Sequence, residues 1–366
     1  MKISYSNNNI FSKKHTKAAK GLAILLMVFH HLFVIPERLH GDYYSILICD
    51  INVDSLIANF AKICVAIFLF LSGLGLYYSF RNETSIGKMY KKVLRKLFVF
   101  FINFWVIAIF VFPIGLLRGF FKFNLHTIIG VITGSYSGVW EWWFVNQYIV
   151  LMLISPLLFM VLNNNKVHKR VLFASLLFLV FAIAYTMQQF QIDNFFYILL
   201  NSFVPRLVNI NCVLVFIIGV IWAKYNLYSF FVFKSKKITI LINFLTLLST
   251  IAIRLLLNRS PGSMRFDFII VPFFVCSFVS IVDFFPIVKT TLFFFSIHST
   301  NIWLTHTFWC YYYFQDIVLL PKFSILIYFW LLFLSVLTSV FFNTILYFVN
   351  KIFFQKRITI IADGLL

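Results

Sequence analysis

Residues 90–117 read YKKVLRKLFVFFINFWVIAIFVFPIGLL. A basic cluster runs straight into an uncharged stretch about as long as the ~20 residues a helix needs to cross a bilayer. In hydrocarbon only a helix or a closed barrel satisfies every backbone group, and a barrel's short alternating segments are absent here. The same pattern recurs along the chain, whose 366 residues are 62% hydrophobic and 11% charged. A soluble domain would carry about a quarter charged residues.

Outward from that stretch, apolar runs between charged punctuation predict ten spans. They lie near 19–36, 57–80, 96–117, 141–162, 170–188, 206–223, 238–257, 266–285, 290–314 and 323–350. The stretches around 120–138 and 189–204 are apolar but short, and read as interfacial or re-entrant. The first run is followed by Pro36, Glu37 and Arg38 instead of a small-residue cleavage site, so it is expected to be a retained span.

Basic residues on cytoplasmic loops set the direction of a membrane protein. Alternate gaps hold Lys2, Lys13, Lys14, Lys17 and Lys20, then Arg81, Lys88, Lys91, Lys92, Arg95 and Lys96. The series continues with Lys166, Lys169 and Arg170, then Lys224, Lys234, Lys236 and Lys237, then Lys289, Lys351, Lys356 and Arg357. The acids Glu37, Asp42, Asp50 and Asp54 cluster in one gap of the opposite set. One missed or invented helix would scramble this alternation. The expected fold is therefore an all-α integral membrane protein of about ten transmembrane helices with both termini cytoplasmic. Residues 1–18 form a cytoplasmic segment, 19–350 the membrane domain and 351–366 a cytoplasmic tail.

The net charge of +20 does not point to nucleic acid, because the cations sit between apolar runs and not on one soluble face. The five cysteines stand singly with no CxxC pair, so neither a disulfide framework nor a metal site is expected. No loop is long enough to house a soluble catalytic domain, and no internal repeat stands out.

A polar side chain at membrane depth is costly and marks a candidate site. The first span reads KGLAILLMVFHHLFVIP. Eleven residues make about three helical turns, so Lys20 and His31 share a face, separated by ~16 Å of axis. His30 points about 100° away, towards a neighbouring helix or as support for His31. Burial disfavours imidazolium, and the neutral ring is the form that accepts a proton, which suits a general base.

The second span ends FLFLSGLGLYYSFR, with Ser72, Gly73 and Gly75 small enough for close helix approach. Arg81, Lys91, Lys92 and Arg95 suit either positive-inside anchoring or a polyanionic ligand. The fourth opens GVWEWWFVNQY. Trp140, Trp142 and Trp143 read as an interfacial belt or a sugar-stacking surface, and Glu141 as a rim carboxylate or an orienting group. The ninth, FFFSIHSTNIWLTHTFW, carries His298, Ser299, Asn301, Trp303, Thr305 and His306, too many polar groups for a helix facing lipid all round. Arg206 and Arg265, with Asp267, stand at outer ends as rim charges or substrate contacts.

Four ordered features resemble the membrane acyltransferase-3 family, whose bacterial members O-acetylate cell-surface polysaccharides. They are Lys20 and His31 in KGLAILLMVFHH, the SG of FLFLSG with Arg81 after it, WWFVNQYIVLMLISPLL, and SIHSTNIWLTHTF. The resemblance implies acyl transfer, most simply acetyl, from cytoplasmic acetyl-CoA as co-substrate, with no tightly bound cofactor. The acceptor would be a hydroxyl of a cell-surface or lipid-linked glycan, and the location a bacterial cytoplasmic membrane. Where the family usually places Arg, this chain has Lys20, which keeps the charge and loses the planar fork. The lead-in to the ninth-span motif, FFFSIHS, also departs from the family's pattern.

Acyl transfer from a thioester to an alcohol needs a base for the hydroxyl proton and donors for the oxyanion. His31 is the expected base, with His30, Asn301, Trp303 and His306 for orientation or oxyanion donation. Lys20, Arg81, Lys91, Lys92 and Arg95 are expected to hold acyl-CoA. Glu141, Trp142, Trp143, Trp303 and Arg265 are expected to contact the acceptor. The alternative functions are a polysaccharide or lipid transporter and a non-catalytic scaffold of a glycan-synthesis complex. Two deep histidines with a polar ninth span favour the enzyme.

Overall fold

In a computed structural model, residues 10–121, 124–134, 139–163, 209–257, 264 and 266–353 are described. Helix α1 (Lys13–Phe33) starts from a reciprocal cap: the Ser12 side chain accepts from the His15 N–H, and the His15 ring accepts from the Ser12 N–H. The other ring nitrogen of His15 donates to Asp283 at 2.8 Å, and Lys289 donates to the same carboxylate at 2.5 Å. Burial alone would raise the Asp283 carboxyl, but the bonds from His15 and Lys289 outweigh it and hold the group below its ordinary range.

The other helices follow in order: α2 (Val53–Ala61), α3 (Ile63–Phe80), α4 (Ile86–Leu117), α5 (Leu125–Thr133), α6 (Trp143–Asn163), α7 (Ile210–Lys224) and α8 (Lys236–Leu257). Then come α9 (Asp267–Val282), α10 (Pro286–Thr307), α11 (Gln315–Leu319) and α12 (Ser324–Phe353). A short hairpin of β1 (Leu47–Ile48) and β2 (Ile51–Asn52) precedes α2. Among the described residues, five helical segments are long and apolar enough to cross a membrane. They are Val53–Phe80, Ile86–Leu117, Trp140–Asn163, Lys236–Leu257 and Ser324–Val349. Helices α1 and α10 have comparable length and fall outside this set because their lysines, histidines and amides dilute the apolar run.

Paired contacts give each helix a direction. Gly21 touches Leu292 while His31 meets His306, so α1 and α10 run parallel. Lys62 lies over Trp143 and Phe80 against Phe159, so α3 and α6 run parallel too. Arg254 pairs with Asp267 and Lys236 covers Phe284, which makes α8 and α9 antiparallel. Gln147 binds the N–H of Asn209 at 2.8 Å and Lys224 the carbonyl of Leu162 at 2.6 Å, so α6 and α7 are parallel. The span expected at 170–188, like the stretch 189–204, Arg206 and Arg265, lies outside the described residues.

Helices α1 and α4 start earlier than expected, at Lys13 and Ile86, and three further features differ from the expectation. The span at 57–80 breaks at Lys62, the shared cap of α2 and α3. The break is filled by Arg254, whose guanidinium donates to the carbonyls of Asn59 and Phe60 at 2.8 and 2.9 Å and grips Asp267 at two points. A cation at a helix C-terminus also complements the helix dipole. The span at 290–314 is α-helical only to Thr307 and continues as a π-helical segment, Phe308–Tyr313. Around 120–138 a short helix, α5, runs from an Asn124 cap to a left-handed Gly134.

The helices approach closely through small residues. A Cβ added to Gly21 would sit 2.0 Å from the Leu292 carbonyl oxygen, and one on Gly73 would sit 2.0 Å from that of Phe216. Such backbone contact is how membrane helices gain packing without a hydrophobic drive between them. Gly21→Val is expected to push α1 away from α10 at a cost of ~1–3 kcal/mol. The measurement is thermal unfolding in detergent. An unchanged Tm would show that the two backbones are not tightly apposed.

Candidate active site

The α1–α10 contact brings the last turn of α1 against that of α10. The His31 and His306 ring centroids are 5.1 Å apart, and His30 lies 5.2 Å from His31. His30 is buried and binds the carbonyl of Ala58 through Nδ1 at 2.8 Å. His306 is fully buried and binds the carbonyl of Ile302 through Nδ1 at 2.8 Å. A carbonyl only accepts, so Nδ1 carries the proton in both rings and Nε2 presents a lone pair. Nε2 of His306 has no hydrogen-bond partner. The His31 ring, half-buried, has no hydrogen bond to either nitrogen. The site thus holds imidazole nitrogens whose bonding capacity is unfilled, at a depth where an unmet polar group is costly.

Three consecutive tyrosines of the π-helical segment frame this site. Tyr311 donates to the carbonyl of His31, Tyr312 to Glu141 at 2.7 Å, and Tyr313 to the carbonyl of Val111 at 2.8 Å. Glu141 is buried, and its second oxygen takes a 2.6 Å bond from Arg38. The Arg38 guanidinium in turn lies 3.6 Å over the Tyr311 ring. Gln315 ties the same loop down through the Arg38 carbonyl and the His40 N–H. Glu141 is therefore neither a free rim carboxylate nor bonded to a histidine: it anchors Arg38 and Tyr312.

Other expected site residues are placed differently. Asn301 accepts from Asn103 and donates to Asn343, each at 2.8 Å, so its amide joins α4, α10 and α12 away from the histidine pair. His298 belongs to that cluster through Ser339 at 2.9 Å. Trp303 stacks on Phe100, meets Phe144 edge-on and lines a ≈ 20 Å³ cavity with Ser299 and Tyr148, room for one water. Trp142 is buried, its indole N–H bonded to the carbonyl of Leu304 at 3.1 Å, and presents no face to a sugar. Trp143 is half-buried beneath Lys62, and Trp140 is exposed.

At the opposite end of the helices, Arg81, Lys91 and Arg95 are exposed, Arg81 lying 5.2 Å over Tyr78. Lys92 is committed to the Ser79 carbonyl and to Glu83, whose carboxyl its hydrogen bond holds below the ordinary range. Lys20 is buried on α1. No group of three His, Cys, Asp or Glu side chains among the described residues is arranged to hold a metal ion.

A family model described as an acyltransferase domain matches residues 17–346. The chain belongs to the acyltransferase-3 family. It carries the acyltransferase domain along nearly its whole length, and its apolar helices make it a multi-pass membrane protein. Comparisons with curated proteins and with solved structures give no match.

Sequence reading missed Arg38 as a site residue, and with it Lys62, Tyr311 and Tyr312. Lys62 had a signal, as the one charge inside an apolar run. The tyrosines had none, because which way they fan depends on the π-helical turn. The Arg38–Glu141 pair is testable by a double-mutant cycle with Arg38→Met and Glu141→Gln. A coupling of ~1–2 kcal/mol in unfolding free energy is expected. Additive effects would mean that the two side chains act independently.

Proposed function

We propose that this protein moves an acyl group, in the first instance acetyl, from cytoplasmic acyl-CoA to a hydroxyl of a cell-surface or lipid-linked glycan. The observation that carries the reading is the facing pair His31 and His306, with unfilled imidazole nitrogens, inside an acyltransferase domain. A substrate O–H is the group such a lone pair accepts. His31 takes the hydroxyl proton as the oxygen attacks the thioester carbonyl. The C–O bond forms, the tetrahedral oxyanion collapses, the C–S bond breaks, and the thiolate leaves with the proton from His31. His30 and His306, each held in one tautomer by a backbone carbonyl, position and accept around that proton.

The helix directions support ten crossings of a bacterial cytoplasmic membrane with both termini inside. In that arrangement Arg81, Lys91 and Arg95 face the compartment that holds acyl-CoA, and guanidinium groups suit its phosphates. The histidines lie towards the other side, near Arg38 and Glu141, where a glycan is met. The pantetheine arm carries the thioester between the two.

Purified protein in nanodiscs, given radiolabelled acetyl-CoA, is expected to hydrolyse or transfer the label. His31→Ala should lose this turnover by at least ~10²-fold while still inserting and folding. Full activity in a folded His31→Ala protein would remove His31 as the base. In the same assay Arg81→Ala is expected to raise KM for acetyl-CoA about five- to tenfold with little change in KM for the acceptor. An unchanged acetyl-CoA dependence would take Arg81 out of the donor site.

A further inference from the structure

Lys62 sits at the break between α2 and α3, in the middle of an apolar run, and has no evident structural duty. The carbonyls released at the end of α2, on Asn59 and Phe60, are already taken by Arg254. The carboxylate within electrostatic reach, Asp267, is held at two points by the same guanidinium. The Lys62 ammonium makes no hydrogen bond and rests over the Trp143 ring at 5.5 Å. As the shared cap it stands at the negative end of α2 and the positive end of α3, so the two helix dipoles offset each other there. A cation without a hydrogen bond at membrane depth calls for an anionic partner that arrives from elsewhere.

Its location says what that partner is. Ala58, whose carbonyl anchors His30, is one helical turn before Lys62 and so shares its face of α2. Helical side chains lean towards the N-terminus, which carries Lys62 back over that turn and towards the histidines. Its charge accordingly acts on both His30 and His31. The phosphates of acyl-CoA belong at the other end, beside Arg81 and Arg95. The negative charge that develops next to the histidines is the tetrahedral oxyanion.

Resting on the acyl-transfer reading, we infer that Lys62 is the cation that receives the oxyanion of the thioester carbonyl, donating N–H to it as the acceptor oxygen attacks. The residue works on charge that exists only in the transition state, so it should act on kcat and leave ground-state binding alone.

The test uses the full chain in nanodiscs as wild type, Lys62→Met and Lys62→Arg. With acetyl-CoA, Lys62→Met should lower kcat by ~10²-fold, with KM unchanged and Tm no lower, since an unpaired cation has gone. Lys62→Arg, always charged, should recover part of kcat. A second measurement needs no turnover: binding of a CoA thioether with a phosphonate in place of the carbonyl, against the neutral thioether. Wild type should prefer the phosphonate by ~10-fold or more, and Lys62→Met should lose that preference. Wild-type kcat in Lys62→Met, a change confined to KM, or a retained preference for the phosphonate would overturn the assignment. If wild type turns over no thioester yet shows a Lys62-dependent phosphonate preference, the acyl-transfer reading falls and an anion site at Lys62 stands.

Discussion

The close approach of α1 to α10 is the constraint on which the rest depends. At Gly21 the two backbones touch, and from that point both helices run the same way. A larger residue there would separate them by the width of a side chain, and the separation would carry to the far end of both. Contact at one end thus fixes the spacing of His31 and His306 at the other. The N-terminal cap reinforces this: His15 closes the start of α1 and reaches the carboxylate that also binds Lys289 of α10. Both ends of α1 are therefore referenced to one partner helix.

The buried polar groups divide into two kinds. Arg254 with Asp267, Arg38 with Glu141, and Asn103 with Asn301 and Asn343 are joined to one another across helices. In hydrocarbon such bonds fix relative rotation, because each partner left alone would be an unmet polar group. A second kind makes no hydrogen bond and includes Nε2 of His306, the His31 ring and the Lys62 ammonium, alongside buried oxygens such as Asn103 Oδ1 and Thr307 Oγ1. Bonded groups around unbonded ones are what a rigid site waiting for a polar substrate requires.

Much of this was legible in the residues. Run length put helices at nine of the expected positions among the described residues. The polar ninth span marked a helix that does not face lipid all round, and its Asn301 and His298 are hydrogen-bonded to neighbouring helices. What stayed hidden depended on partners distant in sequence. Asn301 and His306 look alike as polar residues on one helix, yet one meets two amides and the other meets a histidine. Glu141 could not be assigned before Arg38 was seen beside it. The break at Lys62 was equally unreadable, because what makes it tolerable is a guanidinium from α8.

The π-helical turn after α10 gives the site a dependence on chain register. In an α-helix three adjacent side chains are spaced by about 100° each, whereas the wider π turn lets Tyr311, Tyr312 and Tyr313 reach α1, the start of the fourth span and α4 in turn. Removing one residue from this segment would let it relax to α-helix and rotate everything beyond it by a full step. All three hydroxyls would then change partners together. A single substitution here removes one long-range tie, whereas an insertion or deletion would undo all three at once.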